Sequence, residues 1–114
     1  MQTDLELALM LAREAEAVTM SRFRALDLKV ETKPDRTPVT EADKSAETLL
    51  RRLIAEHRPG DGVVGEEFDD ANPDAARQWV LDPIDGTRNY LRGVPVWATL
   101  IALLVDKAPV VGVV

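Results

Sequence analysis

Asp82 and Asp85 stand three residues apart in the stretch "WVLDPIDGTRNY", with Pro83 between them and Gly86 and Thr87 directly behind. Two carboxylates set so close offer oxygen alone, the ligand type that hard cations such as Mg²⁺ prefer. Pro83 fixes its own φ and removes one N–H. A turn after it would bring both carboxylates to one side and leave the Ile84 carbonyl between them. Gly86 and Thr87 then open a helical turn, and N–H groups at a helix start suit an anion such as phosphate. Glu66, followed by Glu67 in "VVGEEF", ends a second apolar run and would add a carboxylate from a neighbouring strand.

Each of these features also has a plainer meaning. Asp-Gly is a common turn signal, and a surface turn tolerates the same acids. Glu66-Glu67 alone reads equally as a solvated loop, and Thr87 as a helix cap. Asp43, third in its helix, is either a partner for the helix dipole or a catalytic group. His57 reads as an exposed residue compensating a helix C-terminus, Trp79 and Trp97 as packing, and Lys33 as a solvated side chain in a proline-rich loop. The order and conjunction of the acidic motifs distinguish a site from a set of turns.

The elements that must position these groups follow from periodicity. Residues from Leu5 to about Arg24 contain no Gly or Pro and read as one helix. Its expected apolar face is Leu5, Ala8, Leu9, Ala12 and Ala15, widened by Leu11 and Val18. "LDLKVETK" alternates and should begin a strand, followed by a loop at "PDRTP". Thr40 is a good N-cap with Asp43 at capping-box spacing, and a second helix should carry Ala42, Ala46, Leu49, Leu50, Leu53 and Ile54 inward. "DGVVGEEF" and "QWVLD" read as short strands. "GTRNYLRG" reads as one or two helical turns, and "VWATLIALLVDKAPVVGVV" as a hairpin turning at Asp106–Pro109.

Composition narrows the function classes. Fourteen basic against twenty acidic residues leave a formal charge of −6, which argues against an extended nucleic-acid surface. The absence of cysteine excludes disulfides and thiolate metal sites. The acidic N-terminal segment does not read as a signal peptide. The longest apolar run, Val96–Val105, is about half a membrane span. The expectation is a cytoplasmic chain that binds neither nucleic acid nor membrane. "APVVGVV" stops within a strand pattern, as expected of part of a longer protein.

"PVTEADKSAE", "GEEF" and "WVLDPIDGTRNYLRGVPVWA" together resemble the inositol monophosphatase family of Mg²⁺-dependent phosphatases, from about Lys33 to Val114. Within it, "KPDRTPVTEAD" and "RGVPVWATLIALL" look most like the actinobacterial histidinol-phosphatase branch. The resemblance implies an α+β fold, with residues 1–114 the N-terminal half of a layered αβαβα sugar-phosphatase domain whose two long helices pack on a mainly antiparallel sheet. It implies that Glu66, Asp82, the Ile84 carbonyl and Asp85 bind two or three Mg²⁺ ions, with Mn²⁺ as a substitute. By the same resemblance Gly86, Thr87 and Arg88 hold the phosphate, with Glu66 and Asp85 facing the substrate. Asp43 pairs with Thr87 to orient an attacking water, and Asp43, Glu66 and Thr87 form the catalytic set. Glu67 supports from the outer shell, and Lys33 lies in a loop over the site.

The implied reaction is direct attack by water on a small phosphorylated metabolite, histidinol phosphate first, without a phospho-enzyme. Inositol phosphate, fructose bisphosphate and phosphoadenosine substrates stay open, as does an inactive module that only binds a cation. The 114 residues alone are expected to be inactive, and a homodimer is among the assemblies open to the whole protein.

Overall fold

The computed structural model describes residues 1–114. Helix α1 (Asp4–Arg22) starts in a complete capping box, in which Thr3 and Glu6 satisfy each other's backbone N–H groups. Strands β1 (Val30–Thr32) and β2 (Pro38–Thr40) form a small antiparallel ribbon that leads directly into α2 (Glu41–His57). Strands β3 (Gly62–Val64), β4 (Arg77–Asp85), β5 (Ala98–Val105) and β6 (Ala108–Val113) form one sheet in that order. β3 and β4 run parallel and the other neighbours antiparallel, giving the mainly antiparallel sheet expected. Both long helices pack on one face of it. No helix is long and apolar enough to cross a membrane.

The main core gathers Leu7, Ala8, Leu11 and Ala15 of α1, Leu50 and Ile54 of α2, and Val63, Trp79, Leu81, Ile101 and Leu103 of the sheet. The buried side of α1 is therefore rotated from the expected one. Leu5 and Leu9 are exposed, while Leu7 and Thr19, outside the expected face, are buried beside the expected Ala8, Leu11 and Ala15. Apolar residues surround most of this helix, so its period marks no face, and the neighbouring α2 and β5 select one. In α2 the expected Ala42, Ala46, Leu50 and Ile54 are buried, and so are Asp43 and Glu47.

Two further differences from expectation concern β4 and the hairpin. Instead of ending at Asp82 in a turn, β4 continues through Pro83 to Asp85. Asp82 pairs with Leu100 and Asp85 with Ala98, three steps on one strand against two on the other. That extra residue is a β-bulge, which re-aims side chains that strict alternation would send to opposite faces. The hairpin turns at Asp106 and Lys107 alone, both with positive φ (50° and 68°), the backbone of a two-residue turn matched to strand twist. Ala108 and Pro109 already belong to β6.

Helix α3 (Thr87–Leu91) follows the bulge. A second, smaller core of Ala42, Ile84 and Tyr90, with Phe23, Leu28 and Trp97 against it, fastens this turn to the helices. The Tyr90 hydroxyl donates to the Thr19 carbonyl at 2.7 Å, and Tyr90 meets Trp97 edge-on at 4.9 Å between centroids.

Candidate metal and phosphate site

The β4 bulge, the loop after β3, the start of α2 and the start of α3 enclose a cleft of about 620 Å³. Every residue that the family resemblance places in the site lines it: Lys33, Asp43, Glu66, Glu67, Asp82, Ile84, Asp85, Gly86, Thr87 and Arg88. Asp35, Thr37, Asn89 and Arg92 line it as well and were not anticipated. Arg92 lies one turn beyond Arg88, and that helical spacing was the signal available.

Asp43 resolves its two sequence readings by serving both with different oxygens. Oδ2 accepts from the Thr40 backbone N–H at 2.8 Å and the Thr40 hydroxyl at 2.6 Å, which caps α2. Oδ1 reaches the Thr87 hydroxyl at 3.1 Å, across forty-four positions of sequence. That hydroxyl also lies 3.2 Å from the Ile84 carbonyl, and its single proton can go to only one of them. Donation to Asp43 leaves the Ile84 oxygen with lone pairs free on the cleft side. Gly86 precedes Thr87 with φ 94°, and a Cβ there would stand 3.1 Å from the Val96 carbonyl, so both conformation and space call for glycine. α3 is only five residues long, so its dipole is small, and an anion there would rely on individual N–H groups.

The electrostatics are those of a strongly negative site. Asp82 is pushed up to about 6, first by burial and then by the charges of Glu66, Asp85 and Asp43. Glu67 is also raised by burial, while its ion pair with Lys33 at 2.9 Å opposes the rise. Burial works against the Lys33 ammonium, but its bond to Glu67 keeps its pKa above the usual lysine value. Lys33 thus reaches the rim from the β1–β2 loop instead of standing in solvent.

Glu47 is the supporting residue that the sequence reading missed. It is fully buried and holds the backbone of the loop carrying Glu66. Its position one turn after Asp43, on the same side of α2, was the available clue. Asp82, Asp85, Glu66 and the Ile84 carbonyl form an all-oxygen donor set whose mutual repulsion a divalent cation would relieve, so the chemistry fits Mg²⁺. No group of three or more acidic or histidine side chains is already set closely enough to hold a metal ion. The donors share the cleft without being preassembled around a point.

A mixed sheet under two helices, with its acids gathered at a bulged strand end, defines one half of a layered phosphatase-type fold. The chain belongs to the inositol monophosphatase family, which it matches over residues 1–114. It is 63% identical over 115 residues to the histidinol-phosphatase of Streptomyces coelicolor and 59% identical over 111 residues to that of Mycobacterium tuberculosis. In both cases 97% of this chain matches 43% of the relative, so it spans less than half their length. The inositol monophosphatase structure from Zymomonas mobilis superposes with a TM-score of 0.77 at 46% identity, covering 96% of this chain and 41% of that one.

Proposed function

We propose that this chain is the N-terminal part of a Mg²⁺-dependent phosphomonoesterase that hydrolyses histidinol phosphate to histidinol and phosphate. The observation that carries the proposal is the convergence of Asp43, Glu66, Asp82 and Asp85, none of them ion-paired, on one cleft beside Thr87. Glu66, Asp82, Asp85 and the Ile84 carbonyl would hold the cations. When bound, Mg²⁺ supplies charge neutralisation at the phosphate oxygens and on the departing alkoxide.

The chain's own residues do the rest by positioning. Asp43 takes the Thr87 proton in a hydrogen bond, so the Thr87 oxygen turns its lone pairs toward the cleft and accepts from a water. That water is aimed at phosphorus; the new P–O bond forms as the ester P–O bond breaks, one of the water's protons ends on the departing alcohol and the other stays on the phosphate. Gly86 lets the backbone approach the phosphate, and Arg88 adds positive charge at the rim. Histidinol phosphate is favoured by the identity to the two actinobacterial relatives. An inositol phosphate is the second reading, favoured by the Zymomonas mobilis likeness.

The test is turnover of histidinol phosphate, inositol phosphate, fructose bisphosphate and phosphoadenosine phosphate by the full-length protein, with Mg²⁺ and with EDTA. Histidinol phosphate should be cleaved fastest, and EDTA should abolish cleavage. Undiminished turnover in EDTA would overturn the metal-dependent reading, and preference for another ester would overturn the substrate.

A further inference from the structure

Beneath the cleft, α2 presents Glu47 and Arg51, one turn apart, to the loop that carries Glu66. Glu47 is wholly inaccessible to solvent, and a buried carboxylate is costly unless its lone pairs are met. Here they are met by one target. Oε1 accepts from the backbone N–H of Glu66 at 2.8 Å and of Glu67 at 3.0 Å. Oε2 accepts from the N–H of Phe68 at 3.2 Å and from Arg51 Nε at 3.0 Å. Arg51 then donates Nη2 to the Phe68 carbonyl at 3.2 Å and Nη1 to the Asp69 carbonyl at 2.9 Å.

Three successive N–H groups and two successive carbonyls are therefore held by a single pair of side chains. The loop closes tightly on that pair, since a Cβ on Gly65 would fall 2.5 Å from the Glu47 carboxyl. Apart from this clamp, the loop is tied by the Lys33–Glu67 ion pair at 2.9 Å and by the backbone bridge between Val63 and Ala71, 2.9 Å in both directions. Glu66, Phe68 and Asp69 are otherwise exposed. A purely structural filler would not need charge, because well-packed apolar side chains commonly replace buried ion pairs without loss of stability. Bonding to consecutive loop amides instead specifies a backbone path.

We infer that Glu47 and Arg51 are positioning residues that set the direction of the Glu66 carboxylate and thereby the affinity of the cleft for a divalent cation. This rests on the reading that Glu66 binds Mg²⁺. Carboxylates and amides that orient a metal ligand from behind change affinity by about 10–100-fold when removed, and the clamp places Glu47 in that relation to Glu66.

The experiment is Mg²⁺ titration by calorimetry on the full-length protein, together with hydrogen exchange at the amides of Glu66, Glu67 and Phe68. Glu47→Gln should weaken Mg²⁺ binding by about 10–100-fold and speed exchange at those three amides. If Glu47→Gln does not fold, Arg51→Gln, on the solvent side of the clamp, should shift both readouts in the same direction. Glu66→Gln should lose binding while the amides stay protected, separating loss of a ligand from loss of its support. Wild-type binding with unchanged affinity in the folded clamp variants, or weakened binding with unchanged exchange, would overturn the inference alone. Absence of Mg²⁺ binding by the wild type would overturn the phosphatase reading and this inference with it.

Discussion

Strand β4 has an acidic cluster at each end, and the two are built in opposite ways. At its start, Arg77 bonds Asp4 at 2.8 Å and Asp61 at 3.2 Å, Arg58 adds a second bond to Asp4 at 3.2 Å, and the Trp79 indole donates to Asp61 at 2.9 Å. These carboxylates are neutralised, and the Arg77 hydrogen bond holds Asp4 below the usual aspartate range. At its finish, Asp82 and Asp85 face Asp43 and Glu66 with no ion pair among them, and Asp82 rises to about 6. Acids that fold a protein are found paired. Acids kept close and unpaired in a cleft are destabilising in the free chain, which marks them as candidates for a functional site.

The comparison breaks most sharply if the two ends answer alike to loss of charge. Asp85→Asn should lower turnover by more than the roughly 100-fold caused by removing a support behind a metal ligand, with the melting temperature unchanged or raised. Phosphate release and thermal melts of the same preparation check both halves. A smaller effect is expected at the other end. Asp4→Asn should cost about 1 kcal/mol of stability, the upper part of the range for partly exposed pairs, and leave KM for the substrate unchanged. Because the Asp4 pKa is lowered, that stabilisation is present above the ordinary value of 3.8 and is lost as pH falls through the lowered one.

The finest distinction is one of sign. A raised aspartate favours the folded state below its ordinary pKa, and that advantage is lost as pH climbs from 3.8 to about 6. In EDTA, Asp82→Asn should therefore gain stability relative to wild type across that window, whereas Asp4→Asn loses it on moving up from acid. Relative to wild type, the melting temperatures of the two variants should move apart as pH rises from acid. An Asp82→Asn curve that stays parallel to wild type would mean that the folded chain does not raise Asp82, either by burial or by its acidic neighbours.

How much was legible beforehand depended on whether a feature was local. The Thr40–Asp43 box and the all-oxygen character of Asp82, Ile84 and Asp85 involve neighbours in the chain, and both are visible in the letters, whereas the close approach of Gly86 to the Val96 carbonyl is not. The bulge at Pro83 was not, because the extra residue exists only relative to β5. The buried side of α1 was not either, since a helix apolar around most of its circumference is oriented by its neighbours. Glu47 was the instructive omission. A glutamate in a helix reads as solvated until a loop nineteen residues away is folded against it.

The sequence by itself determined which groups could do chemistry here, because residue type and short-range backbone preference are properties of a few adjacent residues. It also carried the family resemblance in contiguous motifs. Only the tertiary structure decided that Asp43 shares its two oxygens between a cap and Thr87, that Lys33 leans onto Glu67, and that Glu47 and Arg51 hold the Glu66 loop. Those contacts join residues far apart in the chain, and their geometry is set by the packing of α2 against the sheet, a long-range balance that no short stretch of sequence encodes.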